Sequence, residues 1–118
     1  MKRPKLSCLK QPQGMLFLIN KSSDSARATA ERLGMMPEIN RDLNRPGNGI
    51  KLAVGMGRDG EWMRAIVACN APEITGFDWL EFAVSPVTTT TTDWLFSLMS
   101  EIANADINTL RLVERSSL

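Results

Sequence analysis

The 118-residue sequence contains no histidine and no tyrosine. The first absence removes the commonest general acid/base and the commonest metal ligand together, so any catalysis would fall to carboxylates, lysines or a thiol. The second leaves aromatic contact to three tryptophans and four phenylalanines. Cysteine is scarce, and Cys8 and Cys69 form no closely spaced pair. That argues against a disulfide scaffold or a thiolate zinc site, and for reduced, partly buried thiols in a cytoplasmic protein. Long apolar runs are missing too. None exceeds the five residues of Met15 to Ile19, far short of the ~20 that span a bilayer. The basic start, MKRPKLSCLKQPQG, does not continue into the apolar core of an export signal, being broken at Lys5, Lys10 and Pro12. No cofactor, metal or membrane partner is expected from these absences.

What is present is the composition of an ordinary globular chain, 43% hydrophobic and 23% charged, at the length of one domain. The reading is an irregular basic arm over 1–14 and a single α+β domain over 15–118. Charge is uneven along it: residues 1–64 hold twelve Lys/Arg against six Asp/Glu, and residues 65–118 hold two against seven. Either the halves fold against each other, or copies associate as a homodimer, or the basic half addresses an anionic partner.

The hydrophobic pattern gives the order β-α-β-β-β-α-β. Met15 to Ile19 reads as a strand buried on both faces. Ser23 is the predicted cap of a helix whose Ala26, Ala30 and Leu33 share one narrow face, with Gly34 ending it. Residues 35–49 carry no clear element beyond one helical turn near Pro37. Ile50 to Met56 and Glu61 to Cys69 form a predicted hairpin about Gly57 to Gly60. Trp79 to Ser85 is a further strand with Leu80, Phe82 and Val84 inward. Thr92 is the predicted cap of a helix to Ala103 with Trp94, Leu95, Leu98, Met99 and Ile102 as its stripe. Ile107 to Val113 is the last predicted strand, and 114–118 a tail. The economical architecture is a mixed, mainly antiparallel sheet with two helices packed on one face. As a pattern of elements it resembles the ferredoxin-like split βαβ theme with an extra strand.

Few residues carry a chemical signature. Gly55, Gly57 and Gly60 satisfy GxGxxG, but a strand pattern follows where a pyrophosphate site needs a helix, so a hairpin turn is the better explanation. Asn20 to Asp24 joins a strand to a helix start, where capping explains it better than a phosphate. Asp59, Glu61, Asp78, Glu81 and Asp93 are the carboxylates available to an acid/base pair or a divalent cation. Lys2, Arg3, Lys5, Arg41, Arg45 and Arg58 are the candidate contacts for an anionic or protein partner. Phe77 with Trp79, which lies opposite Leu80 and Phe82, would form an exposed aromatic edge, unless a second layer covers it.

Together these favour a non-enzymatic interaction module, a small regulatory, inhibitory or assembly protein that binds another protein or itself. The alternative is a nucleic-acid-binding domain using the basic arm and the 37–51 loop. A carboxylate- or metal-dependent hydrolase is third.

Overall fold

Two neighbouring strands that are apolar on both sides decide the layering. In a computed structural model that describes residues 10–104, the chain runs through β1 (Leu16–Asn20), α1 (Ser23–Arg32), α2 (Met36–Leu43) and β2 (Leu52–Asp59). It continues through β3 (Trp62–Cys69), α3 (Pro72–Thr75), β4 (Trp79–Ser85) and α4 (Thr89–Asn104). The four strands form one antiparallel sheet in the order β1-β4-β3-β2, against which the helices pack. The fold is α+β, and the ferredoxin-like theme is roughly compatible with it. The predicted strand over 107–113, the tail, and Lys2, Arg3 and Lys5 of the arm lie outside the described residues.

On β3 and β4, Ala65, Val67, Leu80, Phe82 and Val84 face one way, and Ile66, Ala68 and Trp79 face the other. Strands apolar on both sides need two covers. Accordingly α4 packs on the first side through Trp94, Leu95, Leu98, Met99 and Ile102, while α1 and α2 pack on the second through Ala26, Ala30 and Ile39. This corrects the expectation of two helices on one face. Two helices rather than one separate β1 from β2. The chain re-enters at the far edge, and every described strand pair is antiparallel.

Local chemistry sets the helix ends. Ser22, not Ser23, caps α1: its Oγ accepts from the Ser25 amide at 3.3 Å, and its own amide donates to Asn20 Oδ1 at 2.9 Å. The segment after Gly34 is a full helix, α2, with proline in its first turn and Ile39 fully buried. α4 begins four residues before the predicted start. The Thr91 amide donates to Thr88 Oγ1 at 3.1 Å while the Thr88 amide donates to Thr91 Oγ1 at 2.9 Å, a reciprocal cap. Among the described residues no helix is long and apolar enough to cross a membrane.

The glycines of the literal GxGxxG have a packing explanation. Gly55 and Gly57 lie inside β2 beneath the α1–α2 junction, and a Cβ at Gly55 would fall 2.9 Å from Met35 Sδ and 3.2 Å from Met35 Cβ. Gly60 supplies the positive φ of 63° in the hairpin turn. Gly55→Ala is therefore expected to destabilise by about 1–3 kcal/mol through overpacking. In urea titrations, combining it with Met35→Ala should cost less than the sum of the single changes. Strict additivity would mean that Met35 does not require the glycine.

Candidate functional site

α4 presents two stripes. The buried one follows the predicted positions, whereas Thr92, Phe96, Ser100 and Ala103 recur at helical spacing on its flank. Between that flank and β2 lies an open groove of about 600 Å³. Its apolar lining comes from Val54 and Met56 of β2, Met63 of β3, and Phe96 and Met99 of α4, and Arg58 also borders it. Phe96 is 63% exposed, the most exposed large apolar side chain among the described residues. Val54 and Met56 are only half-buried, although Val67 and Phe82 on the same sheet side are fully buried. The Arg58 side chain donates from Nε to its own turn, at Gly60 O, 3.1 Å away, and is exposed.

The other sheet side carries a charged cluster. Arg64 on β3 donates from Nε to Asp59 Oδ2 at 2.8 Å and from Nη1 to Glu81 Oε2 at 2.6 Å. Arg32 of α1 reaches Asp59 Oδ2 at 3.0 Å, and Thr29 Oγ1 donates to Glu81 Oε1 at 3.2 Å. Glu81 is only 4% exposed. A small crevice of about 80 Å³, bordered by Leu18, Asn20 and Ala83, opens beside Arg64 and Glu81.

The hydrogen bonds from Arg64 and then Arg32 hold the Asp59 carboxyl below its ordinary pKa of 3.8, outweighing the opposing effect of burial. At Arg64, desolvation pulls the pKa down, but the bonds to Asp59 and Glu81 prevail and raise it above its ordinary value. Both carboxylates are thus committed to arginine, an arrangement that braces α1 against the β2–β3 hairpin and β4. Glu61, Asp78 and Asp93 are exposed. Among the described residues no three His, Cys, Asp or Glu side chains are grouped to hold a metal ion.

The sequence-predicted partner residues do not converge. Arg41 lies exposed on α2, 3.7 Å from Asp42, and Arg45 is exposed just beyond that helix. Arg58 alone borders the groove. Trp79 is not on an exposed edge: it is 6% exposed, packed with Ala26 and Ala30, and has the Arg27 guanidinium 5.6 Å over its ring. Phe77 is half-buried against the α4-side core, so the two aromatics belong to opposite layers. Sequence reasoning did not single out Phe96, Met56 or Met63 as a surface. The available signal was Phe96 itself, a large apolar residue off a helix stripe that was already complete.

Searches against known protein families, curated proteins and solved structures gave no match.

Two outcomes test the charged cluster as a brace. Arg64→Met strands Glu81 in a buried position and is expected to cost about 3 kcal/mol in chemical unfolding, most of it recovered when Glu81→Leu is added. A double variant no better than the single would refute that account. The depressed pKa of Asp59 means that its contribution is complete above 3.8 and is lost as pH falls through its lower folded value. Asp59→Asn should therefore be less stable than wild type at neutral pH, with the difference closing in strong acid. A gap that stays constant with pH would contradict it.

Proposed function

We propose that the chain is a non-enzymatic interaction module that binds another protein through the groove between α4 and β2. The observation that carries this reading is Phe96, 63% exposed on the wall of an apolar groove. Leaving such a side chain in water forgoes about 1.5–3 kcal/mol of burial. Exposed aromatics beside apolar pockets are the usual anchors of protein interfaces. Met56, Met63 and Met99 add unbranched, polarizable side chains that repack around an incoming surface. Occupancy of a partner, without bond-making, suits a regulatory, inhibitory or assembly role in the cytoplasm.

The test compares affinity capture from cell extract by wild type, by Phe96→Asp, and by Arg41→Glu with Arg45→Glu on the opposite layer. The expected result is a partner retained by wild type and the arginine variant and reduced at least about tenfold by Phe96→Asp, a change of ~1.4 kcal/mol, with all three folded by circular dichroism. Undiminished capture by Phe96→Asp would overturn the groove. Loss confined to the arginine variant would move the interface to the α2 layer. If the partner proves to be this chain, sedimentation will show a dimer that Phe96→Asp dissolves.

A further inference from the structure

Resting on the groove reading above, we propose that the occupant is an extended apolar segment of a partner protein that pairs with the edge of β2 that no described strand covers and sets a carboxylate against Arg58.

β2 is the last strand on its side of the sheet among the described residues. Its register fixes which backbone groups are available. The Asn70 amide donates to Lys51 O, and Lys51 is followed by the β2–β3 ladder in which Ala53, Gly55 and Gly57 oppose Ala68, Ile66 and Arg64. In an antiparallel ladder the bonded pairs alternate, so these odd positions bond inward to β3. Leu52, Val54, Met56 and Arg58 then turn their amides and carbonyls outward. Side chains alternate with the same period of two. The residues with outward backbone groups are therefore those whose side chains lie on the α4 side, where Val54, Met56 and Arg58 border the groove. One added strand would satisfy the backbone edge and extend the groove floor, placing alternate side chains beneath Phe96.

Charge selects the kind of strand. Arg58 has no carboxylate partner among the described residues; its Nε is satisfied by Gly60 O. A guanidinium in that state favours a carboxylate, which it can meet with two parallel hydrogen bonds. A second copy of β2 cannot supply one on this side. Its even positions are Leu52, Val54, Met56 and Arg58, and its one acid, Asp59, is odd and held by Arg64 and Arg32. The matching occupant is a different chain: a strand of about five to eight residues with alternating apolar side chains and an Asp or Glu in register with Arg58. This is recognition by strand addition, in which backbone bonds give affinity and alternate side chains give selectivity.

The probes are synthetic peptides of alternating valine and threonine ending in glutamate, their lysine-ended counterparts, and versions N-methylated on one or the other set of alternate amides. Binding is read by fluorescence anisotropy and by amide shifts of the intact protein. The glutamate peptide is expected to bind, the lysine peptide at least about tenfold more weakly, and Arg58→Glu to reverse that order. Methylation of one alternate set should abolish binding while the other set is tolerated. Equal tolerance of both methylated sets, with binding still lost in Phe96→Asp, would overturn strand addition and leave the groove standing. Binding indifferent to Phe96→Asp would remove the groove reading as well. Failure of every peptide to shift the β2 amides, or indifference to the charge at Arg58, would also overturn the proposal.

Discussion

The two-sided apolarity of β3 and β4 is the constraint on which the rest of the molecule depends. With Val67 and Phe82 turned one way and Ile66 and Trp79 the other, neither face tolerates water, and the sheet must be sandwiched. The covers are unequal. On one side α1 and α2 together lie over β4, β3 and β2. Alanines on α1 and the Gly55–Gly57 seat for Met35 bring that pair close. On the other side α4 is the one covering helix among the described residues. A helix is about 10 Å across with its side chains, and four strands at about 4.8 Å spacing present a face wider than that. Trp94 meets Phe17 of β1 edge-on with ring centroids 4.9 Å apart, while the body of α4 lies over β4, β3 and β2. Among the described residues the gap left beside α4 is bordered by Val54, Met56 and Arg58 of β2, and that gap is the groove.

The same geometry leaves a smaller gap at the opposite corner. The α1–α2 pair stops short of β1, whose Leu16 and Leu18 stay exposed beside the crevice at Arg64 and Glu81. A buried glutamate there is sustained because Arg64 and Thr29 satisfy both of its oxygens. Such a pair adds little net stability compared with apolar residues, but losing one member is costly. Its structural consequence is positional. Thr29 and Arg32 come from one helix, Asp59 from the β2 end and Glu81 from β4, so the cluster fixes α1 over the sheet where alanine contacts alone would permit sliding.

Much of this was legible in the residues, because period-two alternation is strong where a strand has one definite inward face. β2 and β4 followed from it, whereas β3 was read as an apolar run between turn residues and the stripe of α4 from the helical period of 3.6 residues. Less legible was which layer a residue joins. Trp79 visibly opposes Leu80 and Phe82, but its cover, Ala26 and Ala30 with Arg27, lies some fifty positions earlier. Cap positions were ambiguous for a local reason. Ser22 and Ser23, or any of the threonines from Thr88 to Thr92, offer the same hydroxyl. A further local hydrogen bond selects among the threonines: Thr91 Oγ1 also donates to Pro86 O at 2.5 Å, which anchors the earlier start of α4. Phe96 was invisible as a site because helical periodicity identifies what is buried and is silent about an apolar residue that is not.

An uncovered edge strand beside an apolar groove is ordinarily a hazard, since it invites indiscriminate pairing. β2 limits that hazard by its own composition. Gly55 and Gly57 weaken it as a template for other strands. Arg58 at one end and Lys51 just before the other place cations where a neutral or basic strand would have to desolvate them without return. An acidic strand meets no such penalty at Arg58. The residues that keep the edge from pairing at random are thus the ones that would admit a partner of opposite charge. Selectivity and restraint at this surface then have a common physical origin, a guanidinium held at the border of a groove too wide for one helix to close.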